Sequence, residues 1–209
     1  IRHSIAVDIL KKVKSNDKYE SFENIISSRK PFGLEGNIVK NKTIFRSTKN
    51  GLTSPVLCYG RGKQVGFLNK EEISKNTNWI DKFKVFAPYA NNIGTELNDD
   101  NLNAFVGEPN TISTETYIVI GADLDLKEES AKNLTNYCFT KFTRFMHSIP
   151  KVSQHGTSKT YKFVPLQNFT SESDIDWSKS IAKIDQQLYE KYRLSKEEIE
   201  FIEKMIKPM

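Results

Sequence analysis

The sequence holds only two cysteines, Cys58 and Cys138, and three histidines, His3, His147 and His155, with no C-x-x-C or H-x-x-x-H spacing among them. A zinc site is therefore not expected. No run of about 18 apolar residues exists and the N-terminus has no apolar signal core, so neither a membrane span nor a secretory address is expected. On that basis the chain is expected to be cytoplasmic. The G-x-G-x-x-G, Walker A, G-x-S-x-G, H-E-x-x-H and EF-hand patterns are all missing. Their absence removes the usual phosphate-cradling, nucleophilic and metal-holding signatures, and catalysis by these residues alone is not expected. None of the seven prolines adjoins another.

Acids are locally scarce as well. Residues 130–171 contain six bases (Lys132, Lys141, Arg144, Lys151, Lys159, Lys162) and no acid, although acids average about one residue in eight over the chain. A surface that faces a polyanion has this character, because a single carboxylate repels nearby phosphates. A solvated face with a chance gap in its acids has it too. Residues 1–50 carry 11 Lys and Arg against 5 Asp and Glu, and the whole chain stands at +5.

What is present is otherwise globular: 209 residues, 37% hydrophobic, 11% aromatic and 27% charged. That suits one large domain, or one domain with an appendage. Ile5, Ile9 and Val13 make the opening amphipathic, and its start without Met or a cap is read as that of a piece of a longer polypeptide. A short helix is expected over residues 19–28. It leads into the donor-rich loop Ser27-Ser28-Arg29-Lys30-Pro31-Phe32-Gly33-Leu34, where Pro31 extends Lys30 and Gly33 permits a turn. The stretches 54–59 and 64–68 flank Gly60-Arg61-Gly62-Lys63, a hairpin signal with two bases at its tip. Strands are expected over residues 82–87 and 116–120, the second central in its sheet. Residues 89–103, rich in Asn, Asp and Gly, read as a mobile loop.

Asp125 with Glu128 reads as a capping box that opens a helix running to Ile149, with Leu134, Cys138, Phe142, Phe145 and Ile149 on one stripe and Pro150 as its stop. A loop over residues 151–158 and a strand over 159–164 follow. Two helices close the chain, one over residues 183–192 and one capped by Ser195 and Glu198, with Leu194 and Ile199 as its hydrophobic staple and Pro208 as its stop. Their charges cancel, which suits docking or packing better than phosphate binding. The expected class is α+β: a mixed sheet flanked by helices over residues 1–180, and a helical appendage over 181–209 packed on it.

Lys141 and Arg144, one turn apart on the long helix, are spaced to clamp adjacent phosphates, though solvated bases beside a core stripe have the same spacing. Gln154 and His155 lie in the polar loop that follows; Gln suits a bidentate contact to adenine, while most loop glutamines read nothing. One constellation is that of a magnesium-dependent nuclease. Asp99 or Asp100, Glu115 and Asp125 would hold a divalent ion and Lys127 would assist at the phosphate. A protein-interaction module with an incidental basic face is a third reading.

The order of segments is more specific than any one of them. Phe22-Glu23-Asn24-Ile25-Ile26 with the loop after it, Lys84-Val85-Phe86-Ala87-Pro88, Ser113-Thr114-Glu115-Thr116-Tyr117, Thr140-Lys141-Phe142-Thr143-Arg144-Phe145 and Tyr161-Lys162-Phe163-Val164-Pro165-Leu166-Gln167 resemble, in that order, the C-terminal region of restriction-modification adenine-specific DNA methyltransferases. The ending, from Leu188-Tyr189-Glu190-Lys191-Tyr192 to Lys207-Pro208-Met209, resembles the same family's tail. In that family a preceding catalytic domain carries a glycine-rich S-adenosylmethionine loop and an Asn/Asp-Pro-Pro-Tyr/Phe motif for the flipped adenine. With no adjacent prolines, this chain has no such motif. The resemblance therefore implies a target-recognition region for double-stranded DNA, without cofactor of its own. Its partner would be the methyltransferase domain of the same polypeptide, alone or fused to a restriction endonuclease. DNA contacts would come from Arg29, Lys30, Arg61, Lys63, Lys141, Arg144, Lys151, Gln154, His155 and Lys159.

Overall fold

A computed structural model describes residues 4–91, 93, 102–151, 153 and 155–207, and is α+β, with five α-helices and six strands among those residues. The chain forms two compact units that interleave in sequence. A sheet unit comprises Ile25–Tyr89 and Phe105–Ala131, and a helical unit comprises Ile1–Asn24, Ala90–Ala104 and Lys132–Met209. No division falls at residue 180, because the two C-terminal helices belong to the same unit as the opening one.

In the sheet unit, β1 (Pro55–Tyr59) and β2 (Val65–Asn69) form the expected hairpin, in register from Pro55 opposite Asn69 to Tyr59 opposite Val65. Alternation along β1 buries Val56 and Cys58, the signature of a strand with one face on a core. β3 (Lys84–Pro88), β4 (Phe105–Gly107), β5 (Thr111–Ser113) and β6 (Tyr117–Ile120) follow. They complete two three-stranded sheets, β2-β1-β5 and β4-β3-β6, in place of the single mixed sheet expected. β5 runs parallel to β1.

β6 is not central. It pairs with β3 on one side only, yet all four of its residues are buried. Residues 25–27 cover its other edge. Ser27 donates its backbone N–H to the Val119 carbonyl at 2.8 Å, and its hydroxyl accepts the Val119 N–H at 2.8 Å. Gly121 N–H reaches the Ile25 carbonyl at 2.9 Å. That duty explains why residues 19–28 make only a 3₁₀ turn, Phe22–Ile25, and not a helix. Phe32, Leu34, Val56, Cys58, Leu68, Phe86, Ile112 and Val119 share one core.

The helical unit opens with α1 (Ser4–Lys14), which buries Ala6, Ile9, Leu10 and Val13. The long helix expected over 125–149 is two, α2 (Glu128–Phe139) and α3 (Lys141–Ser148). Asp125 is no cap. It sits at φ 47 and pairs with Lys82 at 2.9 Å, while Ser130 Oγ accepts the Lys127 N–H at 2.8 Å. The break falls at Thr140, whose extended backbone (φ −60, ψ 146) lets its hydroxyl accept the Thr143 N–H as an N-cap. Asp185, on α4 (Ile181–Lys191), accepts the next two donors, Lys141 N–H at 3.0 Å and Phe142 N–H at 2.9 Å.

Residues 159–164 are not a strand. Tyr161 and Val164 are both fully buried, a spacing of three that a turn satisfies and a strand cannot. A 3₁₀ turn, Ser158–Tyr161, does so, and strand-like pairing shifts to residues 164–166, where Leu166 N–H reaches the Glu20 carbonyl at 2.8 Å. α5 (Lys196–Met205) begins with the expected capping box of Ser195 and Glu198. Its expected stop, Pro208, lies outside the described residues.

Burial raises the Asp185 carboxyl to about 6 against its two backbone hydrogen bonds, which pull it down. Between the ordinary value of 3.8 and about 6, the folded protein holds a proton that the unfolded chain has released. The contribution of this group is therefore fully present below about pH 4 and lost as the pH rises through 6. Relative to Asp185→Asn, the stability of the parent protein should fall by about 2–3 kcal/mol from pH 4 to pH 7. Urea unfolding of both at four pH values measures it, and a constant difference would refute the assignment.

Candidate nucleic-acid interface

The acid-free stretch of sequence is not acid-free in space. Asp185 on α4 and Glu203 on α5 come to the start of α3. Lys141 Nζ pairs with the Glu203 carboxylate. Arg144, expected to face phosphate beside it, is 3% exposed. Its Nε donates to the Phe139 and Thr140 carbonyls at 3.2 and 3.3 Å, and Nη1 to the Lys207 carbonyl at 2.9 Å. The expectation of an exposed pair of cations fails because α3 packs against α4 and α5 on that side. Lys151 Nζ is also occupied, by the Asn91 carbonyl (2.8 Å), Asn91 Oδ1 (2.6 Å) and the Ile93 carbonyl (2.7 Å).

Lys159 is exposed on the 158–161 turn and makes no ion pair among the described residues. His155 is exposed, its backbone bridged to Ala90. Gln154 lies outside the described residues, as does most of the 89–103 loop, including Asp99 and Asp100.

In the sheet unit, the candidate bases converge. Glu115 follows β5, fixed by its own N–H to the Leu34 carbonyl at 3.0 Å, and its side chain is only 17% exposed. Oε1 accepts the Gly36 N–H at 3.1 Å. Oε2 lies 2.9 Å from Arg29 Nη2 and 3.9 Å from Lys30 Nζ. Lys30 also pairs with Glu35, and its ammonium holds that carboxyl below the usual range. On the far side of Gly36 stands Arg61; a Cβ at Gly36 would lie 3.4 Å from Glu115 Oε1 and 3.7 Å from Arg61 Cβ. Arg29 and Lys30 thus share one carboxylate, with the stem of Arg61 packed next to Gly36. Arg61 and Lys63, at the hairpin tip, are exposed and make no ion pair among the described residues.

The nuclease constellation does not form among the described residues. Glu115 is held by Arg29 and Asp125 by Lys82, and no group of three or more His, Cys, Asp and Glu there is placed to hold a metal ion. Glu115 was visible in sequence as a candidate ligand. Its role as the partner of two loop cations was not, since 79 residues separate it from Gly36 and 86 from Arg29.

The sequence also gave no sign of Lys84, which is fully buried. Its Nζ donates to the Lys82, Ile80 and Glu108 carbonyls at 2.7, 3.2 and 3.2 Å. Burial lowers it to about 7, against the attraction of the Asp81 carboxylate.

No protein-family model matches the chain, and no curated protein matches it. The geometry alone separates structural cations from available ones, and that separation is measurable. Arg144→Ala should cost about 2–4 kcal/mol by leaving buried carbonyls without a donor, read by urea unfolding. Stability unchanged by this substitution would return Arg144 to the surface.

Proposed function

We propose that this chain is the DNA-recognition region of a restriction-modification adenine-specific DNA methyltransferase. It would act beside a catalytic domain that binds S-adenosylmethionine. The observation that carries the reading is the convergence of two cationic loops on one unit: Arg61 and Lys63 at the hairpin tip, and Arg29 and Lys30 beside them. The order of family-like segments along the chain supports it. A methyltransferase that extrudes its target adenine reads one base in its pocket, so a second surface must read the neighbouring sequence from the groove.

Phosphates and bases ask for different cations. A phosphate contact needs an exposed charge with no carboxylate competing for it, which describes Arg61, Lys63 and Lys159. Lys141, Arg144 and Lys151 do not qualify, as each is already engaged within the protein. For the alternative readings, the described residues supply no constellation that would favour magnesium-dependent cleavage.

Replacing Arg61 and Lys63 together with Ala should weaken binding to every duplex about equally. The slope of log K against log salt should become shallower by about 2. Titration of duplex DNA with the protein at several salt concentrations measures this, and a slope identical to the parent's would sink the electrostatic reading.

A further inference from the structure

We propose that Arg29 reads a guanine in the major groove, held in position for that contact by Glu115 and Tyr89. The inference rests on the DNA-recognition reading above and names the residue that reads.

The loop that carries Arg29 is fixed at both ends. Ser27 is tied to Val119 of β6 by two bonds, its N–H donating to the Val119 carbonyl and its hydroxyl accepting the Val119 N–H, and Phe32 is fully buried. Between them the Pro31 carbonyl accepts the Asn76 side-chain amide at 2.7 Å, and Gly33 turns the chain at φ +81, a conformation that disfavours any other residue. The guanidinium is fixed as well. Nη2 lies 2.9 Å from Glu115 Oε2, and Cζ stands 5.3 Å from the centre of the Tyr89 ring. The side chain nevertheless remains 55% exposed, and it donates no hydrogen bond to any described residue. Glu115 and Tyr89 therefore engage one part of a planar cation, and a donor edge is left without a hydrogen-bond partner among the described residues, on a side chain more than half exposed.

Two features assign that donor edge to a base and not to a phosphate. Glu115 lies against Arg29, and Glu35 is linked to it through Lys30. Carboxylates so placed repel a phosphate, whereas a base edge carries no net charge. Among base edges, guanine alone offers the paired acceptors O6 and N7 that match a guanidinium fork. Lys30 cannot substitute, as a point donor already engaged by Glu35. Glu115 acts through Arg29 and is a positioning residue.

The test selects duplexes from a randomised library with the full-length protein and sequences what is bound, for the parent and for Arg29→Ala, Arg29→Lys and Glu115→Gln. The parent should enrich a motif with an invariant guanine. Arg29→Ala and Arg29→Lys should each lose roughly ten- to hundred-fold preference at that one position and keep the others. Glu115→Gln should weaken the same position by a smaller factor. Arg29→Lys keeps the cation and a side chain of similar length, so its result holds even where Arg29→Ala fails to fold. Uniform weakening with the motif intact would make Arg29 a phosphate contact and overturn this inference alone. Absence of any enriched motif with the parent protein would overturn the DNA-recognition reading and this inference together.

Discussion

The pairing of Ser27 with Val119 is the constraint on which the surface of the sheet unit depends. β6 is apolar and wholly buried, so an unpaired edge would bury donors and acceptors with no partner, at about 1–3 kcal/mol for each. Residues 25–27 remove that cost, and the loop that follows is launched from a fixed point. The same stretch of chain then supplies the loop's electrostatic anchor, because Glu115 lies four residues before Val119. One short segment thus sets both the root of Arg29, through a backbone bond, and the position of its guanidinium, through a carboxylate. Lys30 is drawn in by the same group, and Gly36 N–H caps the arrangement from the other side.

In the helical unit the corresponding constraint is the start of α3. A helix beginning in the interior exposes donors that water cannot reach. Thr140 takes one and Asp185 takes two. Asp185 comes from α4, so the C-terminal helices complete the helix they pack against and are no mere appendage. Phe142 stacks on Tyr192 with ring centres 5.1 Å apart, and Arg144 reaches the carbonyl of Lys207 beyond α5. His147, one turn after Thr143, is fully buried and lies 4.1 Å from the Tyr161 ring. Burial, aided by the Lys151 ammonium, pulls it down to about 3; the Thr160 carbonyl opposes the shift without closing a hydrogen bond to either ring nitrogen. It behaves there as an aromatic residue.

Features of the fold that are local were legible in the sequence. The hairpin around Gly60–Lys63, the Ser195 and Glu198 capping box and the amphipathic α1 each depend on neighbours within a few residues, and all stand where their spacing put them. What failed to show depended on distant partners. The pattern from Leu134 to Phe145 has helical spacing on both sides of Thr140, and only Asp185, 45 residues on, makes a second helix start there worth its break. Tyr161 and Val164 looked like strand residues until the chain at 20–22 arrived to pair beside them. Of the candidate bases, Arg61, Lys63 and Lys159 are exposed in turns, whereas Lys141 and Arg144 on α3 and Lys151 just after it are taken by partners from other segments that no local spacing reveals.

The formal charge of +5 therefore says little about the charge a polyanion would meet. Lys84 and Arg144 spend their donors on buried carbonyls, where they join chain segments. Of the candidate bases, Arg61, Lys63 and Lys159 stand exposed in turns, and Lys63, like Lys30 in the loop beside Glu115, occupies left-handed backbone, at φ 60 and 58 respectively. A side chain there costs about 1 kcal/mol that glycine would avoid. Neither position gains from full burial, since Lys30 is half-buried and Lys63 exposed. A glycine would relieve the strain at either place and discard the cation. At these two positions, then, the backbone strain is carried by residues that place a cation on a loop and not by residues that pack a core.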